Sequence, residues 1–185
     1  MRLDITEDFI AANSHSERKI DRFSVSDVWA ILNGYLKPEN YFKTEKLPLD
    51  KVLMMWNGTI KHYGLNYTLK RLGYEPEVKT EYHPDGNKVG WVLVGKADGV
   101  GKNEILELKT SDEVMDRAKI WHETQVKLYC SLFNKPGGVI YQPIIAEHKV
   151  YFKELGRVKQ DKKWFEKVLE ELNIFHQKLC KLNKN

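Results

Sequence analysis

The 185-residue chain is poor in cysteine and has no long hydrophobic run, and each shortage excludes a class of protein. Its two cysteines, Cys130 and Cys180, lie fifty residues apart, which fits neither a disulfide framework nor a zinc or iron–sulfur cage. No stretch approaches the roughly 20 apolar residues that cross a bilayer, and the charged start MRLDITEDFIAAN does not have the form of a signal peptide. We therefore expect an intracellular protein with no membrane contact.

Two motifs of other hydrolases and of nucleotide-driven enzymes are also missing. None of the six histidines belongs to a His-Glu-x-x-His pair, which argues against a zinc hydrolase. No glycine-rich loop is followed by Lys-Ser or Lys-Thr, which argues against a nucleotide-driven motor. The net charge of +4 is compatible with a polyanionic partner but does not require one.

The length allows one substantial core, so we expect a single domain over residues 1–185, with N-terminal helices in 1–73 and a sheet with helices in 74–185. Helices are predicted over 5–12, from a cap at Ser24 or Ser26 through Leu32, and over 49–72, where Gly73 ends the pattern. Strands are predicted over 77–82, 89–98, 104–110, 139–146 and 149–154.

Two further helices complete the predicted order. The sequence Thr110-Ser111-Asp112-Glu113 has the pattern of a capping box, so a helix is predicted from there to about residue 133. A long helix with apolar residues at helical spacing follows the last strand. This order predicts an α/β fold in which helices flank a mixed β-sheet.

Charged residues on two neighbouring predicted strands indicate a metal site. Asp98 closes the strand over 89–98, and on the next strand Leu106 and Leu108 point to one face while Glu107 and Lys109 point to the exposed face. A pair of carboxylates is what Mg²⁺ takes beside water and phosphate, and a lysine next to it stabilises negative charge in a transition state. A solvated hairpin with an ordinary cross-strand ion pair is the alternative.

Four short motifs follow one another along the chain: Gly58-Thr59-Ile60-Lys61-His62, Gly95-Lys96-Ala97-Asp98-Gly99, Glu107-Leu108-Lys109 and Gln125-Val126-Lys127-Leu128-Tyr129. Their order resembles that of the RecB-type branch of the PD-(D/E)XK nucleases, which includes CRISPR-associated RecB-like exonucleases and phage recombination nucleases. The resemblance implies one RecB-like nuclease domain with a restriction-endonuclease-like core.

The resemblance also implies a role for individual residues. The metal, Mg²⁺ or Mn²⁺, would be bound by His62, Asp98, Glu107 and the main-chain carbonyl of Leu108. The catalytic set would comprise Asp98, Glu107, Lys109, Gln125 and Tyr129, with Lys109 acting on the attacking water and the last two bordering the active site. An imidazole ligand suits manganese somewhat better than magnesium. A helix histidine satisfied by a neighbour remains the alternative for His62, and a place at the edge of the core remains the alternative for Tyr129.

The implied activity is hydrolysis of DNA phosphodiester bonds by a metal-activated water, with inversion at phosphorus. The resemblance favours an exonuclease of phage or prokaryotic recombination, repair or replication, acting in the cytoplasm of a prokaryote or a phage-infected host on single- or double-stranded DNA with an end. A helicase or recombination protein is a candidate partner, and the oligomeric state is open. A non-catalytic DNA-binding or scaffold protein and a restriction-type endonuclease remain as alternatives.

The chain departs from the family in one respect. Many CRISPR-associated and helicase-linked members carry a four-cysteine iron–sulfur cluster, which two cysteines cannot form. The resemblance is therefore to a cluster-free branch or a phage-type relative.

Overall fold

The computed structural model describes residues 18–43, 47–111, 113–146 and 148–183, so the helix predicted over 5–12 lies outside the described residues. Its helices and strands, in chain order, are β1 Arg22–Ser24, α1 Val25–Leu32, α2 Leu49–Arg71, β2 Glu75–Tyr82, β3 Val92–Val100, β4 Glu104–Leu108, α3 Ile120–Leu132, β5 Gly137–Ala146, β6 Lys149–Lys159 and α4 Lys162–Leu182. Within the described ranges, none of the helices has the length and apolar content of a membrane span.

The strands form one mixed sheet of six, organised around β3. Strand β2 pairs antiparallel along one edge of β3. The other edge is shared, because β1 pairs parallel with its beginning and β4 pairs antiparallel with its end. Strand β4 then pairs parallel with β5, and β5 pairs antiparallel with β6. Among the described residues, no strand pairs with the edge of β3 between β1 and β4, which is important for the site described below.

Apolar clusters cover both faces of the sheet. The larger one joins α1, α3 and α4 to the sheet and includes Phe23, Val28, Trp91, Leu93, Val126, Leu128, Phe165, Val168, Leu172 and Phe175. The smaller one lies under α2 and consists of Leu69, Leu106, Leu108 and Val139, with Leu65 packed against it. A mixed sheet flanked by helices is the fold class that the sequence predicted, and this prediction is confirmed.

Helix α1 begins where the cap was predicted. The Ser24 side chain accepts a hydrogen bond from the N–H of Ser26 at 3.4 Å, and the helix starts at the next residue, Val25. The cap satisfies one of the N–H groups that a helix start leaves unpaired.

The prediction that a helix starts at residues 110–113 is wrong, because α3 begins only at Ile120. The preceding segment has its hydrogen bonds elsewhere. The Met115 N–H donates to the side-chain oxygen of buried Gln142 at 2.8 Å, and the Ala118 N–H donates to the carbonyl of Leu155 at 3.0 Å. These bonds to the sheet replace the helical ones, so a distant partner overrides the local capping pattern.

Candidate active site

Strands β3 and β4 separate where the two predicted carboxylates lie. Their ladder contains only two pairs, Gly99 with Leu106 and Val100 with Ile105, and it ends there. Asp98 and Glu107 are the first residues beyond the last pair, on facing strands. The sequence predicted that Asp98 closes its strand. This is wrong, because β3 continues for two residues beyond Asp98.

The Asp98 carboxylate replaces the missing ladder at this point. Its Oδ2 accepts a hydrogen bond from the main-chain N–H of Leu108 at 2.7 Å. Leu108 is the last residue of β4, and its side chain packs in the smaller apolar cluster under α2. The Asp98 carboxylate thus links the two strands where their ladder has ended, and the space between them beyond this point is called the cleft below.

Glu107 is buried rather than exposed, with only 2% of its surface accessible. The expectation of a solvent-facing side chain is wrong because β4 is covered on both faces, by α2 on one side and by α3 on the other. One oxygen, Oε1, accepts a hydrogen bond from Lys109 Nζ at 2.6 Å. The other, Oε2, is buried and has no hydrogen-bond partner among the described residues. Such burial also excludes an ordinary solvated ion pair.

The environment of Glu107 disfavours its charged form. Burial, together with the negative charge of Asp98, raises the pKa of Glu107 to about 7, although Lys109 opposes this. An unpartnered buried carboxylate oxygen is costly, and buried charges in proteins are commonly paired or bound to a metal. Glu107 thus has the environment of a cation ligand.

Lys109 is fixed from two sides. Its main-chain N–H donates to the carbonyl of Tyr141 at 2.8 Å, so the residue still follows the edge of β5 although β4 has ended. Its Nζ donates to Oε1 of Gln125 at 3.2 Å, as well as to Glu107. The structure therefore brings together the predicted Glu-x-Lys strand and the predicted glutamine of α3, and the ammonium points into the cleft.

Tyr129, one turn after Gln125 on α3, is bound to the main chain of β3. Its hydroxyl donates to the carbonyl of Lys96 at 2.8 Å and accepts from the N–H of Lys96 at 3.2 Å. The ring lies against Gly95, where a Cβ atom would come within 2.6 Å of Tyr129 Cε1. The tyrosine thus fills the part of the β3 edge that lacks a strand, and glycine at position 95 makes room for it.

His62 reaches the cleft from α2. Its Nδ1 lies 3.2 Å from Oδ1 of Asp98. Burial lowers the pKa of His62, but the hydrogen bond to Asp98 and the charge of that carboxylate outweigh burial and raise the pKa overall. Gly58 lies one turn earlier on the helix, and a Cβ atom there would be 3.0 Å from Oγ1 of Thr110. The glycine of the Gly-x-x-x-His motif therefore lets α2 approach the end of β4 closely.

Glu77 belongs to the site but was missed by the sequence analysis. One ligand atom from each of His62, Glu77 and Asp98 lies within 4.8 Å of the other two. Glu77 is the first residue of the strand predicted over 77–82, and nothing local in the sequence distinguishes this glutamate. Counting back through the β2–β3 pairing from Asp98 is the signal that could have found it.

The donor set of the cleft fits a hard divalent cation. Carboxylate oxygens of Glu77 and Asp98, from two strands, and one imidazole nitrogen of His62 converge there, and these are ligands that Mg²⁺ or Mn²⁺ accepts. The unpartnered Oε2 of Glu107 is the observation that favours a cation over a simple network of ion pairs. His62 and Asp98 group most closely with Glu77, while Glu107 is paired with Lys109.

Among known proteins, only solved structures are similar to this chain. No protein family matches the chain, and no curated protein matches it. Among solved structures, the alkaline exonuclease LHK-Exo from Laribacter hongkongensis is similar with a TM-score of 0.61 at 14% identity, over 94% of this chain and 92% of that one. LHK-Exo has also been solved in complex with dAMP, and that structure matches with a TM-score of 0.56 at 15% identity, over the same shares of the two chains.

Two further solved structures have the same degree of likeness. A phage-related exonuclease from Haemophilus somnus 129PT has a TM-score of 0.59 at 10% identity, over 91% of this chain and 96% of that one. The protein SSO0001 has a TM-score of 0.59 at 23% identity, over 92% of this chain and 85% of that one. At these identities the likeness shows that the chain has the fold of these proteins.

Proposed function

We propose that this chain is a metal-dependent deoxyribonuclease of the RecB-type PD-(D/E)XK branch, in one nuclease domain over residues 1–185. The observation that carries the proposal is the cleft between β3 and β4, where Asp98, Glu107 and Lys109 meet His62 and one buried oxygen of Glu107 is unpartnered. The fold shared with two proteins described as exonucleases supports it, and a complex of one of them with dAMP supports a nucleic acid substrate.

The metal ligands in this proposal are His62, Asp98, Glu107 and the main-chain carbonyl of Leu108. Mg²⁺ or Mn²⁺ bound there supplies Lewis-acid activation of the scissile phosphate and of a water molecule. Asp98 is already oriented by the N–H of Leu108, and Glu107 by Lys109, so both carboxylates are held in place before any cation binds. Such preorganisation avoids reorienting charged groups during the reaction.

Lys109 is the residue that acts on the reacting atoms from the protein side. Its ammonium lies between Glu107 and Gln125, with 19% of the side chain accessible, and can donate a hydrogen bond to the attacking water or to a phosphate oxygen. A fixed positive charge at this position stabilises the negative charge that develops at phosphorus. Gln125 and Tyr129 act as positioning residues, through Lys109 and through the β3 edge respectively.

DNA would reach the cleft past Lys96 and Tyr63. The Lys96 Nζ lies 6.0 Å from the centroid of the Tyr63 ring, and 60% of Tyr63 is exposed. A lysine suits a phosphate and an exposed aromatic ring suits a base, and this combination is typical of single-stranded DNA sites. We propose DNA with an end as substrate, in phage or prokaryotic recombination, repair or replication, with a helicase or recombination protein as partner.

The test is a nuclease assay on end-labelled single- and double-stranded linear DNA and on closed circles, with Mg²⁺, Mn²⁺ or EDTA. We expect metal-dependent shortening of linear DNA by the wild type and none by Lys109→Ala. Lys178→Ala is the matched control, because Lys178 is an exposed lysine on α4, a helix that packs in the larger apolar cluster and not in the smaller one under α2. Cleavage of circles indicates an endonuclease instead, and DNA binding without cleavage under every condition indicates a scaffold protein.

A further inference from the structure

Glu77 lies across the sheet from Asp98. The β2–β3 pairing joins Pro76 to Gly99 and Val78 to Ala97, so the residue between them, Glu77, falls opposite Asp98. Glu107 lies opposite Asp98 on the other side, because the β3–β4 pairing ends with Gly99 and Leu106. Three carboxylate residues therefore stand in a row across β2, β3 and β4.

The backbone of Glu77 is in the left-handed region, with φ at +59°. This conformation is uncommon for a residue other than glycine, and inside a strand it interrupts the regular pairing. At the same position, a carboxylate oxygen of Glu77 comes within 4.8 Å of ligand atoms of His62 and Asp98. Strained backbone at a site of converging ligands is typical of a functional position.

Lys96 is the present partner of Glu77. Its ammonium forms an ion pair with the Glu77 carboxylate, and 44% of the lysine side chain is accessible to solvent. The glutamate is more enclosed, with 18% of its side chain accessible. The lysine can therefore leave the pair and remain solvated, whereas the carboxylate stays in the cleft.

We propose that Glu77 is an additional ligand of the divalent cation, supplied by a third strand, and that Lys96 is its counter-ion only in the cation-free protein. The proposal rests on the proposed function for the nature of the cation. At the Glu77 carboxylate, the bound cation replaces the Lys96 ammonium. The released ammonium is then free to contact a DNA phosphate. The buried, unpartnered Oε2 of Glu107 in the same cleft supports a cation site rather than a cluster of acids alone.

The first experiment is calorimetric titration of the full chain with Mn²⁺ alone, without DNA. We expect E77Q to weaken Mn²⁺ binding by at least about tenfold, since even loss of a residue that only hydrogen-bonds a metal ligand commonly costs about 10- to 100-fold in affinity. We expect K96M to strengthen binding, because the cation no longer competes with the ammonium. The matched controls are E170Q and K178M, both exposed on α4, whose charges are largely screened by salt and which should change the affinity by less than about twofold.

The second experiment detects coordination directly. In E77C the new thiol would be a soft ligand, so Cd²⁺ should give an ultraviolet thiolate-to-metal absorption band at one equivalent. The wild type reports any contribution of Cys130 and Cys180, and E81C reports that of an exposed thiol on β2. Stoichiometric Cd²⁺ binding by E77C without the band overturns direct ligation.

The outcomes separate this inference from the proposed function. If the wild type cuts DNA and E77Q binds Mn²⁺ as tightly as the wild type, Glu77 only anchors Lys96 and the nuclease assignment stands. If the wild type binds Mn²⁺ tightly and E77Q does not, but neither cuts DNA, the ligand assignment stands and the nuclease assignment fails. Absence of Mn²⁺ binding by the wild type overturns both.

Discussion

The hydroxyl of Tyr129 is bonded to both main-chain polar groups of Lys96, donating to its carbonyl at 2.8 Å and accepting from its N–H at 3.2 Å. One side chain thus replaces the strand that is missing from this part of the β3 edge. Lys96 precedes Asp98 by two residues on β3. Tyr129 therefore satisfies main-chain groups that a closed sheet would have paired.

We expect Tyr129→Phe to lower the free energy of unfolding by about 1–3 kcal/mol, because it leaves partly buried main-chain groups of Lys96 without partners. Urea unfolding of the metal-free protein measures this. Tyr67→Phe is the control, since Tyr67 is 73% exposed on α2 and should show no change. Equal stability of the wild type and Tyr129→Phe would mean that water replaces the hydroxyl without cost.

Two glycines of α2 should respond differently to alanine. A Cβ at Gly64 would meet no atom of the described residues within 4 Å, so Gly64→Ala should stabilise the protein by about 0.5–1 kcal/mol through helix propensity. A Cβ at Gly58 would be 3.0 Å from Oγ1 of Thr110, so Gly58→Ala should lose that gain. Because His62 lies one turn further along, Gly58→Ala should also weaken Mn²⁺ binding.

The check on the Gly58 prediction is the double variant with Thr110→Ala, which removes the contacting oxygen. Thermal unfolding and Mn²⁺ titration of the single and double variants form a cycle that isolates the contact. An equal gain in stability from alanine at both glycines would show that α2 does not approach β4 as closely as described.

The pH dependence of stability should reveal Glu107. Burial and Asp98 raise the pKa of Glu107 to about 7 in the folded chain, above its ordinary value, so the protonated form is favoured by folding. The stability contribution of this group is therefore fully present at low pH and is lost as the pH rises through about 7. His62, whose pKa is also raised overall, changes stability in the same direction.

We expect the difference in unfolding free energy between wild type and Glu107→Gln to change between about pH 5 and about pH 8, with the wild type losing more as the pH rises. The measurement is urea unfolding in EDTA, and the difference removes contributions shared by the two proteins. At the upper pH, Mn²⁺ should restore stability to the wild type by mass action. A pH-independent difference would contradict the raised pKa.

Lys109 and Gln125 should differ in the size of their effects on cleavage. Lys109→Ala should lower kcat by about two to three powers of ten, because it removes the charge that stabilises the transition state. Gln125→Ala should lower kcat by about tenfold and leave KM unchanged, because Gln125 acts only by holding the Lys109 ammonium. Single-turnover cleavage of linear DNA under metal saturation measures both.

A conservative variant tests the positioning role of Gln125. Gln125→Glu keeps an oxygen that can accept from Lys109 Nζ, so it should retain more activity than Gln125→Ala. If alanine and glutamate at position 125 have the same effect on kcat, Gln125 does not act through Lys109.

Much of the fold was predictable because it depends on neighbours in sequence. The Ser24 cap, the helix from residue 49 that ends before Gly73, and the apolar spacing of α4 follow from local rules, and all three are present. The order of the four motifs also identified the residues that meet in the cleft, namely His62, Asp98, Glu107, Lys109, Gln125 and Tyr129. Their catalytic roles remain proposals.

The sequence by itself therefore determined which elements form and which polar residues are candidates, because periodicity, caps and turns act over a few residues. Only the tertiary structure decided three features: the late start of α3 at Ile120, the burial of Glu107, and the presence of Glu77 in the site. Each depends on partners distant in sequence. The late start of α3 depends on the hydrogen bonds to Gln142 and Leu155, and the burial of Glu107 depends on the covering of β4 by two helices. The presence of Glu77 in the site depends on the β2–β3 register. Pairings of that kind are set when the sheet assembles, and no local pattern specifies them.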